Sequence, residues 1–450
     1  MKIVLLRPNY DSHLITPPLG IGYLSSYLKS KGSDVKIIDG LNRNLSEDEI
    51  LHECNNADII GISILSAYLP ESISIAKKLK LLKKIVVIGG PYVSAMGKGS
   101  LLETNADYAI LGEGEISFYE LIEAISIGKD IDNMPGVLSL KTNHFVSRNF
   151  IDNLDTLPFP DWQEMDPRFY KKAPHGGLIK NFPVAPIIST RGCPCECTFC
   201  ASPKLWDRKI RFRSPENTVN EIEYLVNKFN VKEIHFEDDN LTLKKEHIAG
   251  ICGLILKKNI KISWATPNGV RADTLNEEIV KLMKKSGCYF LAFGIESANS
   301  VILRNIKKNT NIDIISTAIN LARKNGIMTQ GFFIFGLPGE TKESIKETIS
   351  FAKKSGLDRA QFLLLDVLPG SYLWDRIQSS RCIDLKAAKS YQDVTWLPDG
   401  LNKQILFEAQ SKAFKEFFLR PKQIFNIIKY FKLSQLPFVL ERLIDYRIIK

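Results

Sequence analysis

Short apolar runs alternate with helical patterns over the first 150 positions. Four runs are almost continuously apolar, as is typical of strands buried on both faces of a sheet. They are Ile3–Leu6, Ile59–Ile64, Ile85–Ile88 and Tyr108–Leu111. The segments between them, at Leu19–Lys31, Pro70–Lys80 and Ser117–Ile127, have a helical spacing of apolar residues. Because strands alternate with helices, residues 1–150 are predicted to form a doubly wound, Rossmann-like α/β domain.

Small residues follow several of these predicted strands. Ligands of doubly wound sheets bind at the carboxyl ends of the strands, and glycine there lets the backbone approach a ligand closely. The residues in question are Ser63, Gly89, Gly90, Gly112 and Gly114. Tight turns alone would explain the same glycines, so this pattern does not identify a ligand.

A proline-rich segment, residues 151–185, separates the first domain from a second strand–helix series. Six of the 21 prolines lie between 151 and 186, together with the aromatic residues Phe159, Trp162 and Phe169. Aromatic side chains are expected to pack against a domain, so the segment is predicted to be an ordered linker.

Six further strands are predicted from residue 186 onward, each followed by a helical pattern. They are Pro186–Thr190, Glu233–Glu237, Lys261–Ala265, Tyr289–Phe293, Thr329–Phe335 and Ala360–Leu365. A complete β/α barrel has eight such strands in about 250 residues. Residues 186–385 are therefore predicted to form a partial parallel β/α (TIM-like) barrel, and the basic region 386–450 to form amphipathic helices broken at Pro421 and Pro437.

Composition and charge narrow the functional classes. The chain has 450 residues, 44% hydrophobic and 24% charged, which is ordinary for a globular protein of several domains. No apolar run is long enough for a membrane-spanning helix. The opening residues MKIVLLRPNY predict a strand instead of a signal peptide, so a cytoplasmic location is expected.

The net charge of +10 is concentrated towards the C-terminus, where the last fifty residues contain ten Lys and Arg against four Asp and Glu. A solvated helical face explains this excess most simply, with contact to an anionic membrane surface or an anionic substrate as alternatives. We expect a small-molecule substrate, no nucleic-acid partner, and at most weak peripheral contact with a membrane.

Four cysteines lie within eight residues, directly after a predicted barrel strand. They are Cys193, Cys195, Cys197 and Cys200. Thiolates this close repel one another unless a cation holds them, which indicates a metal centre. A structural zinc site normally takes ligands from two separated places, and the sequence has no second close pair of cysteines or histidines. The remaining cysteines are isolated and are predicted to be buried apolar residues: Cys54, Cys252, Cys288 and Cys382.

The spacing Cys193-x3-Cys197-x2-Cys200 resembles the radical S-adenosylmethionine superfamily, as does Phe199 before the last cysteine. The resemblance implies that these three cysteines hold a 4Fe–4S cluster with one iron open to S-adenosylmethionine. The family cleaves this molecule to a 5′-deoxyadenosyl radical, with reduced flavodoxin or ferredoxin as electron donor. Cys195 departs from the family pattern and is interpreted as an incidental thiol, with an alternative cluster ligand as the other option.

Later segments resemble the superfamily in the same order. Phe236–Thr242 is similar to a "DDNFT" segment, Phe293–Ala298 to "GIES" and Phe333–Thr341 to "GLPGE", and Asn268–Asp273 follows the third strand. The resemblance implies that S-adenosylmethionine is contacted at four groups. Glu237 and Asp238 would lie near the methionine amino group, Arg271 near its carboxylate, Glu296 at the ribose, and Gly336, Leu337 and Gly339 against adenine.

Two structural alternatives compete with these roles. Asp239 or Asn240 could cap a helix, with the neighbouring acids in its first turn. Arg271 could instead form a salt bridge with an acid of the preceding segment.

The N-terminal domain resembles the cobalamin-binding domain that precedes many of these barrels. The resemblance rests on Pro17–Leu24, Ile88–Pro91 and Leu111–Glu115. It implies that cobalamin is bound by the five strand-end residues named above: Ser63, Gly89, Gly90, Gly112 and Gly114. Many cobalamin domains supply a lower-face histidine from this first loop. His13 lies there, but Thr16 replaces the glycine of that motif, so the fit is poor.

The resemblance implies first a cobalamin-dependent methyltransferase acting on an unactivated carbon. A second hypothesis is a radical enzyme that oxidises or closes rings, because Phe418–Pro421 also resembles anaerobic magnesium-protoporphyrin monomethyl ester cyclases. A third is a non-catalytic sensor that binds cobalamin or a metal.

Overall fold

The computed structural model describes residues 1–172, 179–378, 394–421, 423–424 and 436. It divides into two compact units. The first contains Met1–Lys171 with the short segments Lys204–Asp207 and Leu368–Gly370, and the second contains the rest. The predicted burial of Cys382 and the predicted helices beyond residue 424 lie outside the described residues.

The first unit is built on a six-stranded sheet with the order β2-β1-β3-β4-β5-β6. Its strands are β1 (Lys2–Arg7), β2 (Asp34–Asp39), β3 (Ile59–Ser63), β4 (Ile85–Gly89), β5 (Tyr108–Ile110) and β6 (Val137–Leu138). The first five are parallel and β6 is antiparallel. This order is a doubly wound topology, as predicted, with its switch point between β1 and β3.

Three of the helices that connect these strands lie close to the predicted positions: α1 (Leu19–Ser30), α4 (Leu69–Leu81) and α7 (Gly114–Ser126). Four shorter helices were not predicted: α2 (Gly40–Arg43), α3 (Glu47–Cys54), α5 (Pro91–Met96) and α6 (Lys98–Thr104). The apolar pattern did not indicate β2, because this edge strand exposes Asp34 and Lys36.

A buried ion pair joins the carboxyl ends of β1 and β2. The Arg7 guanidinium donates from Nε to Asp39 Oδ1 at 2.8 Å and from Nη2 to Oδ2 at 2.6 Å. The hydroxyl of Tyr170 donates to the same Oδ2 at 2.7 Å. Because buried charges are costly unless paired and hydrogen-bonded, all three groups are fixed together at this edge of the sheet.

The proline-rich segment packs on the first unit through part of its aromatic residues. Trp162 is 1% exposed, and Asp161 accepts hydrogen bonds from Ser25 Oγ and Lys29 Nζ, both at 2.7 Å. The prediction of ordered packing is confirmed for Trp162 but wrong for Phe169, which is 77% exposed. Phe169 ends a short 3₁₀ turn, and the next residue, Tyr170, takes the buried position.

The second unit contains a six-stranded, fully parallel sheet and a two-stranded antiparallel ribbon, β8–β9. The strands are β7 (Val184–Ile187), β8 (Thr190–Arg191), β9 (Arg211–Phe212), β10 (Glu233–Phe236), β11 (Ser263–Val270), β12 (Cys288–Glu296), β13 (Met328–Phe335) and β14 (Arg359–Leu364). Along the large sheet the order β14-β13-β12-β11-β10-β7 follows the chain. Parallel strands that follow the chain order and are joined by helices form the predicted partial barrel.

Helices separate the barrel strands. They are α8 (Ser202–Leu205), α9 (Pro215–Phe229), α10 (Lys245–Lys257), α11 (Glu277–Lys285), α12 (Ser300–Asn305), α13 (Ile312–Lys324), α14 (Lys342–Lys354), α15 (Tyr372–Gln378) and α16 (Lys403–Phe418). Several of these helices begin after a polar N-cap residue whose side chain accepts a hydrogen bond from a backbone N–H group of the first turn. These caps include Ser214, Asn276, Asn311, Thr341 and Asn402.

Aromatic residues hold the helices on the outer face of β13 and β14. The rings of Phe333 and Phe362 stack at 5.2 Å, and Phe362 meets Phe414 of α16 edge-on at the same distance. Helix α16 is thus the described part of the predicted C-terminal helices. Within the described residues, no helix combines the length and apolarity that crossing a membrane requires.

We expect Trp162→Ala to destabilise the first unit by about 3–5 kcal/mol, because it removes a fully buried aromatic side chain. Phe169→Ala is the matched control and should change the stability by less than about 0.5 kcal/mol, since that ring is exposed. Urea unfolding followed by fluorescence and circular dichroism measures both. Equal effects of the two substitutions would contradict the packing described for this segment.

Candidate functional site

The cysteine loop follows β8 and has no regular secondary structure from Gly192 to Ala201. Three hydrogen bonds fix its backbone. Thr198 N–H donates to Ile306 O at 3.0 Å, Leu373 N–H donates to Thr198 O at 2.8 Å, and Cys200 N–H donates to Cys197 O at 3.2 Å. The loop is therefore anchored to the segment after α12 and to the start of α15.

The thiols of this loop differ in their surroundings. Cys193 and Cys195 share a hydrogen bond, which raises the pKa of Cys193 and lowers that of Cys195. Burial raises the pKa of Cys200 to about 12. Asn240 Nδ2 approaches Cys193 Sγ at 3.9 Å.

Among the described residues, no three His, Cys, Asp or Glu side chains are grouped around a point where a single metal ion could sit. An iron–sulfur cluster makes a different demand, because its thiolates bind separate irons across the cluster. Three of the four thiols on this loop have the predicted spacing, and all four are at most partly exposed. This donor set fits a cluster with three cysteine ligands.

Asp238 holds the turn that leads into the cysteine loop. Its Oδ1 accepts from Ser189 N at 2.9 Å, from Ser189 Oγ at 2.8 Å and from Thr190 Oγ1 at 2.7 Å. Burial raises the pKa of Asp238 to about 6. These contacts assign Asp238 to the support of the β7–β8 turn.

The neighbouring residues of this segment do not begin a helix. The alternative of a helix cap at Asp239 or Asn240 is wrong, since α10 begins at Lys245 with Lys244 at its N-cap. Asp239 Oδ2 instead accepts from Ser202 Oγ at 2.9 Å. Glu237 comes directly after β10, and its backbone donates to Ile187 O and accepts from Asn268 Nδ2, both at 2.8 Å.

Arg271, after β11, is held by its own segment and by the loop after α12. Its Nε and Nη2 donate to the two carboxylate oxygens of Asp273 at 2.9 and 2.6 Å. Nη1 and Nη2 also donate to Lys308 O and Asn309 O, each at 3.1 Å. The expected salt bridge exists, but its partner is Asp273 and not an acid of the preceding segment.

Glu296, at the end of β12, forms a buried ion pair with Lys308, whose Nζ lies 2.7 Å from Oε1. Gly294 makes room for this pair. A Cβ at Gly294 would lie 2.6 Å from Glu296 Oε1 and 2.8 Å from Lys308 Nζ, closer than real contacts allow. A side chain at this glycine of the "GIES"-like segment would therefore displace the ends of the two charged side chains.

A tight turn after β13 surrounds the carboxylate of Glu340. Its Oε2 accepts from the backbone N–H groups of Gly336 and Leu337. Gly336 and Gly339 have φ values of 93° and 80°, a region that favours glycine. Leu337 is fully buried, and burial of Glu340 raises its pKa to about 8.

In the first unit, the predicted glycines lie at the carboxyl ends of β4 and β5. Gly90 has a φ of 98°, and a Cβ there would lie 2.9 Å from Ile64 O, so this position tolerates only glycine. A Cβ at Gly112, by contrast, would meet nothing within 4 Å. Gly112 N–H donates to Ser94 Oγ at 2.9 Å, which ties this turn to α5. Ser63 and Gly89 pair in register, and Gly114 begins α7. This edge fits a ligand that contacts the backbone closely.

Three residues of the second unit's strand-end site have contacts that were not predicted from the sequence. Asn240 contacts Cys193, Lys308 pairs with Glu296, and Glu340 holds the glycine turn. Asn240 and Glu340 lie inside the two segments that resemble the family, Phe236–Thr242 and Phe333–Thr341, so the sequence already indicated that they are near the site. Lys308 is one of 60 Lys and Arg residues, and only the fold brings it to the site.

Because of Glu340, the free energy of unfolding should decrease as the pH rises from about 5 to about 8. The folded protein keeps this carboxyl protonated up to about pH 8, whereas the unfolded chain releases the proton near pH 4.5, so raising the pH favours unfolding in that window. Glu340→Gln should remove this contribution and raise the melting temperature more at pH 8 than at pH 6. An equal change at both pH values would contradict the raised pKa.

Two solved structures share this fold. The chain aligns with the radical S-adenosylmethionine methyltransferase TsrM from Kitasatospora setae at a TM-score of 0.72 and 19% identity, covering 93% of this chain and 82% of that one. It aligns with the cobalamin-dependent radical enzyme OxsB at a TM-score of 0.75 and 18% identity, covering 99% and 72% of the two chains.

Sequence comparison identifies the family of each domain and several related proteins. Residues 10–122 match the B12 binding domain and residues 187–352 match the radical SAM superfamily. An uncharacterized methyltransferase of Pyrococcus horikoshii is 33% identical over 95% of both chains. The cytidylyl-2-hydroxyethylphosphonate methyltransferase of Streptomyces wedmorensis is 29% identical, over 83% of this chain and 80% of that protein. The anaerobic magnesium-protoporphyrin IX monomethyl ester cyclase of Rubrivivax gelatinosus is 27% identical, over 93% and 78%.

The paired domains, the order of the strand-end segments and the full-length relatives agree with one another. The chain belongs to the cobalamin-binding radical S-adenosylmethionine enzymes.

Proposed function

We propose that this enzyme transfers a methyl group to a carbon atom of a small-molecule substrate. The observation that carries the proposal is that the acidic segment, the Glu296–Lys308 pair and the glycine turn lie at the carboxyl ends of the parallel strands β10, β12 and β13, while the three-thiol loop follows the ribbon strand β8. When bound, the cluster, S-adenosylmethionine and cobalamin supply a 5′-deoxyadenosyl radical and a transferable methyl group.

Cys193, Cys197 and Cys200 are the proposed cluster ligands. The backbone N–H and C=O groups of Thr198 each form a hydrogen bond that anchors this loop, so the backbone that carries the three thiols is fixed. Asn240 Nδ2 reaches the sulfur of Cys193, and a donor at this position stabilises negative charge on a thiolate. Cys195 remains outside the ligand set in this proposal.

The strand ends provide the proposed contacts to S-adenosylmethionine. Glu237 would accept a hydrogen bond from the methionine amino group, while Asp238 keeps the neighbouring turn in place. Glu296 would accept from the ribose hydroxyls, held by Lys308. The turn Gly336–Gly339 would place its backbone and Leu337 against adenine, with Glu340 fixing its shape.

The carboxyl edge of the first sheet is the proposed cobalamin site. Its contacts would come from Ser63, Gly89, Gly90, Gly112 and Gly114. The close approach of Gly90 to Ile64 and the open space at Gly112 support backbone contact with a large ligand. Reduced flavodoxin or ferredoxin is the proposed electron donor, in the reducing cytoplasm where a thiolate-bound cluster is retained.

Oxidative ring closure is the second candidate reaction. It is favoured by the similarity to the Rubrivivax gelatinosus cyclase over 93% of this chain. Such an enzyme would use the same radical site without transferring a methyl group.

Anaerobic incubation with S-adenosylmethionine labelled at its methyl group tests the proposal. We expect reduced, cobalamin-loaded enzyme to release 5′-deoxyadenosine and to place the label on carbon in a product from an extract of small metabolites. Cleavage without any labelled product, accompanied by oxygen from labelled water in a product, would support the cyclase instead. Absence of cleavage by a fully loaded enzyme would contradict both.

Single alanine substitutions should distinguish the three proposed cluster ligands from Cys195. We expect Cys193→Ala, Cys197→Ala and Cys200→Ala to lose the bound iron and sulfide after anaerobic reconstitution, because each removes one cluster ligand. Cys195→Ala is the matched control and should retain about four irons and four sulfides per chain, the content of one such cluster. Loss of the cluster in this control would make Cys195 a ligand.

A further inference from the structure

Part of the cysteine loop reaches the surface of the second unit. Thr198 and Phe199, which separate two of the proposed cluster ligands, are both partly exposed. Thr198 N–H donates to Ile306 O at 3.0 Å, directly after α12, and Thr198 O accepts from Leu373 N–H of α15 at 2.8 Å. Helices α12 and α15 therefore border the loop, and a molecule that contacts Thr198 is one residue away from Cys197.

Both bordering helices expose an apolar or aromatic side chain. Tyr372, next to the residue that bonds to Thr198, is 41% exposed, and Val301 of α12 is 50% exposed. Val301 lies about 7–8 Å along the helix axis from Ile306, at 1.5 Å per residue. Single exposed apolar residues are common on protein surfaces, so these two alone do not indicate a partner.

Two exposed cations at the end of α12 add a charge to this surface. Arg304 and Lys307 flank Ile306, and neither forms an ion pair with another of the described residues. The charge of Glu196, on the loop itself, is balanced by Arg208 at 2.6 Å. Helix α15 carries one acid and one base. The surface around the exposed part of the loop therefore has an excess of positive charge.

These residues form one surface, which we call the outer loop surface. It consists of Thr198, Phe199, Val301, Arg304, Lys307 and Tyr372. Apolar side chains accompanied by polar or charged ones are the composition of a protein-binding surface. The strand-end side of the loop is assigned to S-adenosylmethionine in the proposed function, so the outer side is left for a protein that delivers electrons.

We infer that the outer loop surface docks an acidic, low-potential electron carrier. The carboxylates of such a carrier would meet Arg304 and Lys307, while Val301 and Tyr372 provide apolar contact. Electron-transfer complexes have small interfaces and are often weak, so a surface of this size is sufficient. One electron passes from the reduced carrier to the cluster, and no bond forms or breaks. The inference rests on the proposed function and adds the surface at which its electron donor binds.

The test measures how fast the cluster of the anaerobically reconstituted enzyme is reduced. The probes are a reduced acidic flavodoxin, a reduced acidic ferredoxin and photoreduced 5-deazariboflavin, a small uncharged reductant that needs no docking surface. Loss of the absorption of the oxidised cluster is followed by stopped flow. We expect the double substitution Arg304→Gln, Lys307→Gln to slow reduction by the carrier proteins about 3- to 10-fold at low ionic strength, because electrostatic steering is lost.

Salt and the small reductant define the expected pattern further. The difference between the wild type and the double variant should shrink at high ionic strength, because salt screens exposed charges. Deazariboflavin should reduce both proteins at the same rate. A double variant that reacts with the carriers as fast as the wild type at low ionic strength would overturn the inference. Equal slowing with deazariboflavin would also overturn it, because the substitutions would then have changed the cluster.

The double substitution Lys261→Gln, Lys285→Gln is the matched control. Both lysines are exposed and precede β11 and β12, at the amino edge of the sheet, and the change in net charge is the same. This variant should react with the carriers at the wild-type rate. If it is slowed as much as the Arg304 and Lys307 variant, net charge and not the outer loop surface determines the rate, and the inference is wrong.

Iron and sulfide content, measured before each experiment, separates this inference from the proposed function. A wild-type protein that binds no cluster would contradict the proposed function itself. A wild-type cluster that accepts electrons from deazariboflavin but from neither carrier would overturn the docking inference alone. If the double variant fails to retain its cluster, Lys307→Gln is compared with Lys285→Gln instead, and a smaller slowing of about 2- to 3-fold at low ionic strength is expected.

Discussion

Parallel pairing of the six barrel strands is the constraint on which the site of the second unit depends. Parallel strands end at one edge, so segments far apart in the chain come together there. The acids follow β10, Arg271 follows β11, Glu296 ends β12 and the glycine turn follows β13, while the cysteine loop follows the short ribbon strand β8 that comes soon after β7.

Pairing of buried charges then decides which of these connections are rigid. Asp238 accepts three hydrogen bonds, Arg271 makes four, and Glu296 is paired with Lys308. A buried ion pair contributes little net stability, but removing one partner is costly. The charged residues of the site therefore specify loop positions more than they stabilise the fold.

The sequence allowed the architecture and the cysteine motif to be predicted, because both depend on local patterns. Continuous apolar runs located the parallel strands, and only the edge strand β2, with exposed Asp34 and Lys36, lacked this signal. The partners of Arg271 could not be predicted, since its carbonyl acceptors lie 37 and 38 residues away. The role of Gly294 was hidden for the same reason: it depends on side chains that meet above it only in three dimensions.

The contact of Tyr170 with Asp39 has a consequence for any attempt to study the first unit as a fragment. A chain cut after residue 150 would lack Tyr170, which donates to Asp39, and Trp162, which is buried against the same unit. The cut would uncover apolar surface and leave the Arg7–Asp39 pair open to water. A fragment intended to bind cobalamin should therefore extend at least to Lys171, where the long continuous part of the first unit ends.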